Sequence, residues 1–353
     1  MASSLNNALW MEWITRLMGD VSGQAASRQT HAATLPPDRF YCLLDELPLH
    51  LIPQHVLKSM HLREGRGRTL YLNPDCILRT GGQLPYDLAS EAELVAGFAL
   101  DDTMVWVRSP ATGNLLPFWL GPQLAGVVRG LHPNDPVPDS IPERTRNLLV
   151  AANILIPKDS AALRDRKREE MIGRASLLFR EKGYAPLNEL IHPFHIAALR
   201  RYYRYLIRTG SIPLGDDQSP RRYVAHNEPV ARFFHQDIAG TLSAVAGESL
   251  KPSYVYMASY LSGAELKKHT DRAQCEYSVT LCLDFSPEPL LETPWSIQLD
   301  TPTSTVTVYQ ALGDGLAYRG TRLPHYRSPL GEGQTSTSIF FHYVNASFSG
   351  SLD

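Results

Sequence analysis

The stretch YLSGAELKKHTDRAQCEYSVTLCLD, residues 260–284, decides how the chain is read. It holds His269-Thr270-Asp271, and a second stretch, GDGLAYRGTRLPHYRSPLGEGQTSTSIFFHYV, residues 313–344, holds His325. In a strand, residues two apart point to the same side, so His269 and Asp271 face one cavity while Thr270 points away. Two imidazoles and one carboxylate are the donor set of a facial metal site, which on iron(II) leaves coordination positions open for a chelating cosubstrate and dioxygen. His325 has to arrive on another strand facing the same cavity, as closed or double-sheet β folds allow.

A His-x-Asp on its own is a common tripeptide, so the flanks carry the weight. Upstream, PSYVYMASYLSGAELKKH reads as a strand, a glycine-containing turn and then the first donor. Downstream, Tyr277, Val279, Leu281 and Leu283 alternate with Ser278, Thr280 and Cys282, the two-fold period of a strand. Further strands are expected around Trp295, Ile297 and Leu299, around Val306 and Val308, at 316–318 after a Gly-Asp-Gly turn, and through Phe341.

The order Y-x-x-G-x-x-x-x-x-H-x-D, a T-L-C-L-D strand, G-D-G-L-x-Y-x-G, L-P-H and a Ser/Thr-rich last strand resembles the iron(II)/2-oxoglutarate dioxygenases of the prolyl-4-hydroxylase-like branch. The resemblance covers about residues 222–345. It implies an α+β chain whose C-terminal part is a double-stranded β-helix, or jelly roll, with supporting helices, beside an N-terminal mixed α/β domain. It further implies iron(II) bound by His269, Asp271 and His325, with 2-oxoglutarate and dioxygen as cosubstrates and ascorbate as an accessory reductant. The activity implied is hydroxylation of an unactivated C–H bond, coupled to oxidative decarboxylation of 2-oxoglutarate to succinate. One feature departs from that family. Its members carry a basic residue nine to eleven positions after the distal histidine, where this chain has Gln334, Thr335 and Ser336. A buried carboxylate needs a cation, and Arg327, two residues beyond His325 and on the same side of a continuing strand, is the best-placed substitute. Arg319 and Arg272 are the alternatives, and Tyr260, Ser278, Thr280 and Ser336 are candidate hydrogen-bond partners of the cosubstrate.

The chain has 353 residues, a formal net charge of −2 and four cysteines, Cys42, Cys76, Cys275 and Cys282, without a CxxC pair. That length allows two or three domains, each with its own core. The charge gives no footprint for nucleic acid, and the cysteines fit free thiols in a reducing cytoplasm. No run is long and apolar enough for a membrane span, and the N-terminus lacks the order of a signal peptide.

The expected divisions are an N-terminal helix and linker over 1–38, a mixed α/β domain over 39–157, a helical connector over 158–215 and the oxygenase domain over 216–353. Leu9, Trp13, Ile14, Leu17 and Met18 sit at helical spacing in the first of these. In the second, YCLLDELP and QHVLKSMHL read as helical and RTLYLNP as a strand, and Val105–Val107 and Leu115–Phe118 flank a turn to make a hairpin. Helices at 122–131 and around Leu148, Leu149 and Ala152, then a strand at 154–156, complete a pattern that loosely resembles the peptide-binding winged-helix domains of the PqqD type. Such a domain takes an extended peptide at a sheet edge. The bland alternative is an α/β buttress for the oxygenase.

In the connector, the charged run KDSAALRDRKREE reads as a solvated linker or exposed helix, followed by two helices separated near 183–186. His192 and His195, three apart beside Glu189, have a spacing that could hold metal on a helix, though hydrogen-bonded burial is the commoner fate. The arginines and tyrosines at 200–205 line either a substrate channel or, more simply, a packing face. His226 and His235 read as structural or substrate-contacting, and His342 shares parity with Ser336 and Ser338 on the last strand. The leading function is a dioxygenase acting on a peptide or protein side chain. The alternatives are the same chemistry on a free amino acid or small secondary metabolite, or a jelly-roll binding protein without turnover.

Overall fold

The computed structural model describes residues 31–53, 55, 68–158 and 160–353. The helix expected within residues 7–21 and most of QHVLKSMHL lie outside the described residues. The described part begins with short 3-10 turns and then runs β1 (Leu70–Leu72), β2 (Ile77–Arg79), β3 (Met104–Arg108), β4 (Leu115–Trp119), α1 (Pro122–Arg129), α2 (Glu143–Ala151) and β5 (Leu155–Pro157). It continues with α3 (Ser160–Lys182), β6 (Tyr184–Leu187), α4 (Pro193–Arg208), β7 (Arg222–His226), α5 (Pro229–Ala246) and β8 (Leu250–Tyr260). The last strands are β9 (Leu266–His269), β10 (Tyr277–Ser286), β11 (Ile297–Asp300), β12 (Thr305–Val308), β13 (Gly315–Tyr318), β14 (His325–Arg327) and β15 (Thr335–Asn345).

Two antiparallel sheets make the jelly roll, one of six strands in the order β6-β13-β10-β15-β8-β7 and one of four in the order β12-β11-β14-β9. The fold is α+β, with α3, α4 and α5 against the larger sheet. Both faces of β10 are buried. Its odd residues Val279 and Leu281 join Val255, Met257, Ile339 and Phe341 in the main core, against Phe234, Ile238 and Leu242 of α5. Its even residues Ser278 and Thr280 look the other way, toward the smaller sheet. The polar half of the alternation therefore lines an interior instead of facing water.

Helix α5 starts at Pro229 behind the N-cap Glu228, whose carboxylate accepts from Val230 N and Ala231 N. The same carboxylate accepts from Tyr202 Oη and Tyr203 Oη of α4, at 2.9 and 2.6 Å, so one side chain caps a helix and ties two together. Helix α4 carries Arg200 at 0% exposure, donating to Asp284 and Glu288, which makes this arginine and tyrosine face a packing face.

Several expectations are corrected. YCLLDELP forms a β-bridge and one 3-10 turn (Leu44–Glu46). Of the two readings of the charged run, the helical one holds: from Ser160 it is the start of the 23-residue helix α3. The gap expected at 183–186 is the strand β6, paired with β13, so the larger sheet takes its edge from what the sequence assigns to the connector. The N-terminal half and the back of the larger sheet share a core. Phe40, Phe98, Phe118 and Trp119 of the N-terminal half and Phe233 and Phe234 of α5 belong to one continuous cluster. The ring centroids of Phe98 and Phe233 are 4.9 Å apart, and those of Phe40 and Phe234 are 5.9 Å apart.

The hairpin β3-β4 forms as read, extended to three strands by β2, whereas β5 pairs with β1 and not with the hairpin. At the tip of that hairpin, Thr112 Oγ1 donates to Asp237 Oδ1 of α5 and Asn114 Nδ2 donates to Asp237 O.

Candidate metal centre

Strand β14 pairs with β9 so that His325 stands directly opposite His269. Cross-strand neighbours have their side chains about 5 Å apart, and the two imidazole centroids lie 4.4 Å apart. Asp271 is not on the strand: β9 ends at His269, and the turn that follows is held by Asp271 N donating to Gly320 O at 2.9 Å. The two-residue spacing brings His269 and Asp271 together, but a backbone anchor and not strand parity aims the carboxylate. Nε2 of each histidine lies 3.5 Å from Asp271 Oδ1. One donor atom from each of the three residues falls within 4.8 Å of the others.

The remaining ring nitrogens decide what these histidines offer. His269 Nδ1 donates to Lys267 O at 2.7 Å, and His325 Nδ1 donates to Leu323 O at 3.0 Å. A carbonyl only accepts, so Nδ1 carries the proton in both and Nε2 is the atom free to ligate. Burial opposes the charge on Asp271, but the two imidazoles beside it, His269 and His325, outweigh that and hold the carboxyl well below the usual carboxylate range. The carboxylate of Asp271 beside it raises the proton affinity of His269 above that of an ordinary histidine. His325 is 2% exposed, while the His269 side chain is 39% exposed, so the centre opens on one side.

Gly320 is where the chain comes closest to Asp271. A Cβ there would run into Asp271 Oδ2 and Cys275 O, so the position requires the absence of a side chain. Its only signal in the sequence is a glycine between the β13 strand and His325.

Arg327, 6% exposed, is directed inward as expected. Its guanidinium donates to Trp295 O and, at 3.0 Å, to Gln310 Oε1, and lies 4.9 Å from the Trp295 ring centroid. Among the described residues no carboxylate pairs with it, and burial lowers its proton affinity. Gln310, which nothing in the sequence singled out, is itself locked by donating to Thr280 O and Asp314 O. Thr280 Oγ1 is sealed from solvent without a partner among the described residues. Tyr260 and Ser336 are register partners on the inward face, and the Tyr260 ring packs on Trp295 at 5.0 Å. A buried cation without an anion and an orphaned hydroxyl are what a dicarboxylate would satisfy, and an N₂O donor set suits iron(II). The residues present therefore fit both a divalent metal and an anionic chelator.

Ser278 has a different neighbourhood from the one expected of a cosubstrate contact. Its Oγ lies 3.1 Å from Asp271 Oδ2 and 2.9 Å from His342 Nδ1. Burial pushes His342 down to about 4 despite the pull of Asp271. Arg319 donates to Tyr277 Oη and lies near Glu248, and Arg272 donates to Tyr254 Oη, so both alternatives to Arg327 are engaged elsewhere.

The other histidines that the sequence singled out make backbone and ion-pair contacts. His192 caps α4 through Nδ1 and donates from Nε2 to Ala151 O, and His195 Nε2 donates to Pro117 O. Burial lowers them to about 4 and about 3, and neither faces the centre. His235 donates to His342 O at 2.7 Å, and His226 pairs with Asp353 at the rim.

A jelly roll with two histidines and one carboxylate converging between its sheets is the class that fold and site define. Among solved structures, the chain is similar to the α-ketoglutarate-dependent epimerase SnoN from nogalamycin biosynthesis, with a TM-score of 0.43 and 13% identity over 51% of this chain and 84% of that one. It is also similar to a Pseudomonas putida prolyl-4-hydroxylase, with a TM-score of 0.40 and 16% identity over 49% of this chain and 99% of the other. HygX from Streptomyces hygroscopicus, crystallised with nickel, 2-oxoglutarate and hygromycin B, gives a TM-score of 0.40 and 12% identity over 50% and 88%. No family model and no curated protein matches the sequence.

Proposed function

We propose that the chain is an iron(II)- and 2-oxoglutarate-dependent dioxygenase that hydroxylates an unactivated C–H bond. The observation that carries this is Arg327: a guanidinium buried without a carboxylate, two residues beyond His325 on the strand that supplies a metal donor. His269, Asp271 and His325 bind the metal through Nε2, a carboxylate oxygen and Nε2. Arg327 holds the far carboxylate of 2-oxoglutarate, with Thr280 Oγ1 as a further donor and Tyr260 and Ser336 lining the slot. Iron(II), when bound with 2-oxoglutarate, would activate dioxygen for that oxidation. The protein orients cosubstrate and substrate, and keeps bulk water from the closed side of the centre.

A peptide or protein side chain is the substrate class we favour, with a free amino acid or small metabolite as the alternative. The N-terminal half packs on α4 and α5, behind the larger sheet, so a peptide held there by β-strand addition would have to reach around the sheet to the metal. The likeness of that half to PqqD-type domains stays part of this proposal. Among the described residues no helix is long and apolar enough to cross a membrane.

Anaerobic protein given iron(II) and 2-oxoglutarate should develop a weak visible charge-transfer band and, on admitting air, release succinate. Iron binding without 2-oxoglutarate binding would favour a jelly-roll binding protein instead.

A further inference from the structure

Asp271, Cys275 and His342 form a second group of possible ligands, also with donor atoms within 4.8 Å of one another. The Ser278 hydroxyl sits among them, against Asp271 Oδ2, His342 Nδ1 and, at 3.5 Å, Cys275 O. The group is thus organised around a hydroxyl, and the direction of its hydrogen bonds follows from counting protons. A serine hydroxyl has one proton to give. Asp271, as a ligand, is an ionised carboxylate and only accepts. The serine proton therefore goes to Asp271 Oδ2, and the contact with His342 is made by Nδ1–H donating to Ser278 Oγ. A neutral imidazole protonated at Nδ1 presents a lone pair at Nε2. His342 Nε2 has no hydrogen-bond partner among the described residues and is not among the sealed atoms.

We propose that Ser278 and His342 form a one-way relay that aims Asp271, and that the relay fixes His342 Nε2 as an acceptor on the cavity wall for an N–H or O–H group of the substrate. The proposal rests on the metal reading above. Both ends of the relay are braced. His235 of α5 donates to His342 O, and the His342 ring packs on Tyr254 at 4.7 Å between centroids. Tyr254 is in turn covered by His226 at 5.0 Å and by the Arg272 guanidinium at 4.5 Å, so the acceptor lies in an aromatic wall beside the metal. Such a wall takes a flat or apolar group that carries a hydrogen-bond donor, a description that an amide-bearing side chain meets. Ser278 and His342 are positioning residues for the metal.

The tautomer is directly measurable. Histidine labelled with nitrogen-15 should show His342 protonated at Nδ1 at neutral pH, in metal-free and zinc(II)-loaded protein alike, with the signal assigned by its loss in His342→Asn. Protonation at Nε2, or at both nitrogens, overturns the relay. Cobalt(II) titration gives a second readout: Ser278→Ala and His342→Leu should each weaken binding about 10-fold or more. His342→Asn, whose amide can donate to Ser278, should restore most of that affinity. Wild-type affinity in both weakened variants would overturn the positioning role. If neither zinc nor cobalt binds the wild type, the metal reading fails while the metal-free tautomer still decides the relay.

Discussion

Replacing Gly320 by alanine tests the geometry of the centre with a single methyl group. The φ of Gly320 is not in the left-handed region, so the substitution is a question of space alone. The new Cβ would collide with Asp271 Oδ2 and Cys275 O and would stand 2.9 Å from Ser278 Oγ. One of these is backbone and another is the proposed ligand, so neither yields as the tip of a flexible side chain would. Overpacking of this kind costs about 1–3 kcal/mol of stability. A displaced Asp271 should lose metal affinity on the scale of a lost supporting contact, about 10- to 100-fold. Gly126→Ala is the control, because a Cβ there meets nothing within 4 Å and the residue lies inside α1, where alanine is favoured by about 1 kcal/mol. Urea unfolding of the metal-free proteins and cobalt(II) titration of the folded ones separate the two effects. A folded Gly320→Ala protein that binds cobalt(II) as tightly as the wild type would refute the placement of Asp271 at the metal.

Arg327→Met should leave cobalt(II) binding unchanged and weaken 2-oxoglutarate binding by about 2–5 kcal/mol, roughly 30-fold or more, by calorimetry on anaerobic metal-loaded protein; unchanged affinity would move the clamp to another residue. Asp237, buried at the tip of the β3-β4 hairpin, is raised to about 7, chiefly by desolvation. Its folded form holds a proton that its unfolded form has released, so stability should fall by about 1.4 kcal/mol per pH unit from about pH 4 to about pH 7 and then level off. In Asp237→Asn that component should vanish, and parallel urea-unfolding curves for the two proteins across that range would contradict it.

The strands and the three converging side chains were legible because each sits in a long, strongly alternating segment or next to one. Arg327 was legible by parity with His325, despite a register shift between them in the β9-β14 pair. Strand β6 was not, because four residues containing Pro186, paired on one edge only, leave no period to read. Ser278 was legible as an inward hydroxyl, but parity does not say that Asp271 and a histidine on β15 will lie within hydrogen-bond distance of it. Gln310 and Trp295 O hold Arg327 from loops, where no periodicity applies. The shared core escaped notice for a related reason: the apolar positions of a core split between two halves look the same as those of two separate cores.

The six-stranded sheet divides its labour by face. Phe341, Ile339 and Val279 on the back belong to the large cluster shared with the N-terminal half, while Phe340 on the front packs against a smaller cluster around Tyr260 and Trp295 inside the jelly roll. A change behind the sheet is therefore felt across the N-terminal half as well, whereas one at the front is confined to the lining of the interior.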